Sequence, residues 1–242
     1  TVAVGRSALG VQNFTTATDT YNVAVGYFAG VSVTTGVQNT LIGGLAGSSL
    51  TTPNQNVAVG HGTLDAETAG ARNTAIGTNS LTTQNVTTGG NVYNVGLGYF
   101  AGANITTGIQ NTLIGSLAGD ALTDADRNIA IGYQALTTDD LGSRTVALGA
   151  GAVFSQNYAT ATDSHNIGIG DLSLFYNVTG VNNTFVGSAA GLGASGNSHS
   201  NNTGIGYAAG GAITTGVQNT LVGSRAGDAL TTGDSNVAVG VS

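Results

Sequence analysis

One five-residue phrase returns fourteen times in 242 residues: Asn, then Val, Thr or Ile, then a variable residue, then an aliphatic, then Gly. Asn fills the first slot in twelve copies, at Asn22, Asn39, Asn56, Asn73, Asn94, Asn111, Asn128, Asn166, Asn183, Asn202, Asn219 and Asn236, with Thr1 and Thr145 in the other two. Most copies follow one another at a common short step, as Asn22, Asn39, Asn56 and Asn73 do, with a longer step after Thr1, Asn73 and Thr145 and an intermediate one after Asn183. A short fixed period means that each unit is too small to bury its own apolar face and must stack on its neighbours, which predicts a solenoid. A higher order is also present: Tyr21 to Gly43 reads almost like Tyr93 to Gly115, so Thr1, Asn73 and Thr145 open equivalent blocks, the third of which drops out of register.

Within a phrase, slots two and four alternate with slot three, as in a strand whose side chains face opposite ways. The alternation therefore predicts an all-β, parallel solenoid of about fourteen coils. Slot four is always Val, Ile or Leu, and these residues are expected to form the core: Val25, Ile42, Val59, Ile76, Leu97, Ile114, Ile131, Leu148, Ile169, Val186, Ile205, Val222 and Val239. Slot three is Ala or Gly except for Leu41, Leu113, Phe185 and Leu221, so both strand faces carry apolar side chains. The second face is expected to meet a partner subunit. The Gly closing each phrase suits a sharp turn with positive φ, and the Asn residues, equivalent from coil to coil, are expected to form a ladder of side-chain amides. Fourteen coils rising by about 4.8 Å each predict a rod on the order of 65 Å long, read as a single repeat segment, 1–242, of a longer fibre chain.

Composition narrows the function classes. Twelve acidic residues against five Arg and no Lys give a formal charge of −7 and no basic patch for a phosphate backbone, so nucleic acid is not an expected partner. There is no Cys for disulfide, zinc or thiol chemistry, and no apolar run long enough to insert into a membrane.

The phrases Asn73 to Leu81 (NTAIGTNSL), Asn128 to Leu136 (NIAIGYQAL) and Asn22 to Gly30 (NVAVGYFAG) resemble the head repeats of trimeric autotransporter adhesins and the related repeats of phage tail fibres. The resemblance covers essentially the whole chain. It implies a left-handed β-roll, a homotrimer with the phrase strands facing the threefold axis, and an extracellular place on a virion tail fibre or cell surface. It further implies a non-enzymatic segment that attaches to a host surface through a glycan or protein receptor. The longer coils favour the tail-fibre set, with a bacterial adhesin head as the alternative.

Other chemistry has little support in the residues. His61, His165 and His199 stand apart from one another, and Asp163-Ser164-His165 are chain neighbours whose side chains diverge on a strand. Asp120, Asp124, Asp126 and the pair Asp139-Asp140 are read as solvated turn residues, with calcium the one ion such oxygens would suit. Tyr27, Tyr99, Tyr133 and Tyr207 follow the invariant Gly and are the candidate contact surface, for a carbohydrate or for a subunit seam. Solenoids also serve as acyltransferases, polysaccharide depolymerases and ice binders. No His recurs as an acyltransferase base, and only one Thr of pairs such as Thr34-Thr35 and Thr214-Thr215 can join an outward array.

Overall fold

Slots two to four of every phrase form a short strand, and every strand pairs with its neighbours in parallel. The computed structural model describes residues 1–242, which divide into two compact units, Thr1–Asp124 and Ala125–Ser242. Unit 1 holds β1 (Val2–Val4), β2 (Val23–Val25), β3 (Thr40–Ile42), β4 (Val57–Val59), β5 (Gly70–Ala71), β6 (Thr74–Ile76), β7 (Gly90–Asn91), β8 (Val95–Leu97) and β9 (Thr112–Ile114). Its phrase strands stack in the order β1-β2-β3-β4-β6-β8-β9, and β5 pairs with β7 on the return side. Unit 2 holds β10 (Ile129–Ile131), β11 (Gly142–Ser143), β12 (Val146–Leu148), β13 (Thr162–Asp163), β14 (Ile167–Ile169), β15 (Thr184–Val186), β16 (Thr203–Ile205), β17 (Thr220–Val222) and β18 (Val237–Val239). The order there is β10-β12-β14-β15-β16-β17-β18, with β11 beside β13. The chain is a β-solenoid without helices, and each step in register sets one phrase directly on the next, as Val23, Ala24 and Val25 sit on Thr40, Leu41 and Ile42.

The core overturns the expected orientation of the strand. Slot three points inward: Ala24, Leu41, Ala58, Ala75 and Leu113 in unit 1 and Ala130, Ala147, Phe185 and Leu221 in unit 2 are fully buried. The slot-four residues Val25, Ile42, Val59, Ile76, Leu97, Ile114, Ile131, Leu148, Ile169, Val186, Ile205, Val222 and Val239 lie on the outer face instead, half-buried or exposed. The largest fully buried side chains occupy only three positions of the coil: slot three (Leu41, Leu113, Phe185, Leu221), slot nine (Leu64, Leu81, Leu136, Leu174) and slot twelve (Leu50, Ile105, Leu122, Ile213).

Volume is exchanged between these positions. Where slot three is large, slot nine of the same coil is Gly, as in Leu41 with Gly47, Leu113 with Gly119, Phe185 with Gly191 and Leu221 with Gly227. Where slot three is Ala, a slot-nine Leu fills the space from the opposite wall in most coils, as in Ala58 with Leu64 and Ala130 with Leu136, whereas beside Ala24 slot nine is Gly30 and Leu9 and Leu41 of the adjoining coils fill the space. A Cβ on Gly96 would stand 2.9 Å from Cγ of Leu81, one coil away. Cores packed to crystal density leave no room for both, so a small slot-three residue marks a coil whose interior is filled by a slot-nine side chain or by a large residue of an adjoining coil.

The phrase Gly is required twice over. At Gly77 φ is +116°, and a Cβ there would lie 2.5 Å from the carbonyl oxygen of Gly98 in the next coil. Stacked coils bring these backbones too close for any side chain, which explains why slot five never varies.

The Asn ladder is present and, from Asn22 to Asn219, buried. Each Asn Oδ1 accepts the backbone N–H of the next slot one, from Asn39 to Asn22 at 2.8 Å and from Asn111 to Asn94 at 2.8 Å. Most Nδ2 groups donate across the coil to the return segment, Asn22 to the Gly36 carbonyl at 2.7 Å and Asn202 to that of Gly216 at 2.8 Å. Direct amide-to-amide contacts are longer, 3.3 Å from Asn39 to Asn22, so the backbone link is the tighter part of the ladder. Thr145 takes the position of one Asn, and Ser164 relays the ladder past it to the N–H of Asn166.

Candidate functional site

Because slot three faces the interior, slots two and four form one outward face that is largely apolar. In unit 1 the register aligns Val25, Ile42, Val59, Ile76, Leu97 and Ile114 in successive coils. Unit 2 aligns Leu148, Ile169, Val186, Ile205 and Val222 in the same way. Ile42 is 38% exposed, Leu97 43% and Ile205 44%, values unusual for aliphatic side chains in the middle of a sheet. Slot two adds Val, Ile and the methyl groups of Thr to the same face, and no acidic or basic residue interrupts it.

Two columns border this face. On one side the slot-six residues Tyr27, Tyr99, Tyr133 and Tyr207 are each more than half exposed. They are not isolated rings: Tyr27 packs edge-on against Phe28 at 4.3 Å, Tyr99 lies 4.5 Å from Phe100, and the guanidinium of Arg225 sits over Tyr207 at 5.9 Å. On the other side the residue before each Asn adopts a left-handed backbone in every coil, from Tyr21 to Ser235, and points outward.

The interior also holds polar layers that the sequence reading missed. Slot twelve is apolar in most coils, but it is Glu67 in the coil before a longer one and Gln84 in the longer coil itself, and at the equivalent place in the next block Asp139 and Gln156, all fully buried. The Gln84 amide donates to Glu67 at 2.9 Å, and Asn94 donates to the Gln84 carbonyl at 2.8 Å, which ties the acid into the Asn ladder. Gln156 repeats this geometry, donating to Asp139 at 2.6 Å and accepting from Asn166 at 2.9 Å. Asp139 is therefore an interior residue rather than the solvated turn acid expected of it. Burial raises its pKa above the usual carboxylate range, against the Gln156 amide and the Gly142 N–H, which favour the charge. Burial also raises the pKa of the Tyr158 phenol nearby, whose hydroxyl donates to the Gly180 carbonyl at 2.8 Å. The recurrence of acid and amide at equivalent positions of two blocks is the signal that would have found these pairs.

The coil opened by Asn183 carries a third polar layer. His199 is fully buried, its Nδ1 3.3 Å from both Asn183 Oδ1 and Asn202 Nδ2, and its backbone N–H donates to Asn177. Its Nε2 has no hydrogen-bond partner. Burial lowers the ring's pKa to about 4, and only the Gly191 backbone favours the proton.

The sequence neighbours Asp163, Ser164 and His165 do not converge. Asp163 pairs with Arg144 at 3.2 Å, Ser164 is buried against Thr145, and His165 points to solvent. Asp124 accepts a hydrogen bond from Thr107 at 2.7 Å, and no three His, Asp or Glu side chains group closely enough to hold a metal ion. Comparison with protein-family profiles, curated proteins and solved structures yields no match. The outward apolar face recurs in every coil, bordered by the Tyr27, Tyr99, Tyr133 and Tyr207 column on one side and by the residues before each Asn on the other.

Proposed function

We propose that this chain is a structural segment of a trimeric surface fibre, of the kind that carries phage tails or bacterial adhesins to a host cell, and that it catalyses no reaction. The reading is supported above all by the outward strand face. An apolar stripe repeated in every coil is larger than the scattered hydrophobic residues that monomeric proteins expose. Three identical copies can cover one another's stripes around an axis, and each square ångström of apolar surface so removed from water contributes about 25 cal/mol. On this reading the Tyr columns lie at the edges of the buried strip, where amphipathic rings either seal seams or meet a glycan.

The recurring Thr hydroxyls speak against an ice-binding array. Thr34 and Thr51 donate to carbonyls of the next coil at 3.2 and 2.9 Å, and Thr214 does the same at 3.1 Å, so one hydroxyl of each pair is used within the stack and only its neighbour, Thr35, Thr52 or Thr215, is left for an outward array.

The test is the mass of the protein in solution by native mass spectrometry. A trimer is expected, and the double variant Ile42→Asp/Leu97→Asp is expected to be monomeric with an unchanged circular dichroism spectrum. A stable wild-type monomer refutes the proposal.

A further inference from the structure

In unit 1 the position before each ladder Asn follows a rule that the solenoid does not impose. It is filled by Tyr21, Gln38, Gln55, Arg72, Tyr93 and Gln110, each in the left-handed region with φ between 50° and 66° and each exposed. Left-handed backbone favours Gly and Asn, and neither stands here. Slot seven has the same backbone, yet it accepts Ser7, Leu45, Asn79 and Leu117. Conformation alone therefore does not select planar, polar, hydrogen-bonding side chains. Something about the outward surface does.

A groove of about 370 Å³ runs beside the middle of this column, on the return side where β5 pairs with β7. Thr52, Asn54, Thr87, Thr88 and Asn91 line it with hydroxyls and amides. Its wall residues Asn54 and Ala71 immediately precede Gln55 and Arg72 in the chain, so groove and column adjoin. Gly89 and Gly90 keep one wall low, and a Cβ on Gly90 would meet nothing within 4 Å. The volume falls in the range of about 300–1,000 Å³ common to ligand sites.

Arg72 is the centre of the column. Its Nε donates to Gln55 at 2.8 Å, its Nη1 donates to the Tyr93 hydroxyl at 2.7 Å, and its guanidinium sits over the Tyr93 ring at 5.6 Å. Two of five N–H groups are used, and the side chain forms no ion pair although the chain carries twelve acids. A fixed guanidinium with spare donors, an aromatic face and flanking amides suit a ligand with many hydroxyls. The column repeats once per coil, about 4.8 Å, which is close to one pyranose ring along an extended glycan. A net charge of −7 weighs against nucleic acid in the same place.

We propose that Gln55, Arg72 and Tyr93, with the groove walled by Thr88 and Asn91, form a lateral binding site for a linear polysaccharide lying along the coils of unit 1. This inference rests on the reading of the chain as a host-attachment fibre and moves the glycan contact away from the Tyr27 and Tyr99 column.

The experiment is calorimetric titration of the full chain with three probes: β-1,4-linked glucose and mannose hexasaccharides and an alginate hexasaccharide. Binding of at least one is expected, weakened tenfold or more in Gln55→Ala/Arg72→Ala and in Asn91→Ala, with circular dichroism unchanged because these residues are exposed. Preference for alginate would assign an acidic ligand, and preference for either neutral probe a neutral one. Wild-type affinity retained in Gln55→Ala/Arg72→Ala, or lost only in Tyr27→Ala/Tyr99→Ala, overturns the site, as does the failure of all three probes to bind. The fibre reading is judged separately by the solution mass, so a trimer that binds none of the probes sinks this inference alone.

Discussion

Leu113 and Ile114 are chain neighbours on β9 with opposite surroundings: Leu113 is fully buried in the solenoid, and Ile114 lies on the outer face. The strand's alternation separates them, and it makes the inside and the outside of the molecule independently testable.

Leu113→Asp should bury a carboxylate with no partner and cost on the order of 4 kcal/mol or more, enough to unfold unit 1. Ile114→Asp, on the half-buried outer face, should cost the single chain far less and act chiefly by weakening self-association, so that its stability loss depends on protein concentration while that of Leu113→Asp does not. Chemical denaturation beside native mass spectrometry checks both. Equal loss of stability in the two variants would contradict the strand orientation.

Gly77 and Gly90 both have positive φ, +116° and +110°, but only Gly77 faces a neighbouring coil at close range. Gly90→Ala should cost only its backbone strain, on the order of 1–2 kcal/mol. Gly77→Ala should cost several kcal/mol, because the coils must also part to admit the methyl group. The difference between their melting temperatures is the measurement.

Asp139 supplies a pH dependence of one sign. Its folded pKa is raised, so the protonated form fits the fold; the stability it contributes is full below its unfolded value of 3.8 and is lost as pH rises through the folded pKa. Asp139→Asn is expected to flatten this fall between acid and neutral pH, as read from denaturant midpoints across the range. An identical slope in wild type and variant would place the titration elsewhere.

His199 supplies the opposite sign. Its pKa falls from 6.5 to about 4 on folding, so its contribution is full above 6.5 and is lost as pH drops toward 4. The span corresponds to about 3 kcal/mol. Protonation places a charge on a buried ring whose Nε2 makes no hydrogen bond, and the Asn183 oxygen and the Gly191 backbone offset that burial only in part. Hydrogen exchange of residues 193–200, corrected for intrinsic rates, should show protection falling between pH 6.5 and 4 in wild type and staying level in His199→Gln.

Legibility differed from one residue position to another for physical reasons. The Asn ladder was readable because stacked equivalent positions repeat an identical local geometry, so that Asn22 and Asn39 meet by symmetry of the coil alone. The phrase Gly was readable because a strongly positive φ beside a closely stacked backbone excludes every side chain wherever it occurs. Glu67 and Asp139 were not: a carboxylate in a Gly- and Thr-rich return segment looks solvated until the amide that satisfies it, Gln84 or Gln156, is seen across the next coil. Nor was the placement of Gln55 and Arg72 beside a groove, which depends on the path of the longer coil between Gln84 and Asn94.

The sequence by itself determined the period, the short strands, the turns and their stacking, because each of these follows from backbone geometry repeated at fixed intervals. Which face of the strand turns inward was left to the tertiary structure. Both faces carry apolar residues, and the choice is made by the slot-nine and slot-twelve side chains, Leu81 and Leu122 among them, which fill the interior and leave space opposite them only for slot three. Ile42 and Leu97 are thereby placed outside by the filled interior, not by any lack of hydrophobicity of their own.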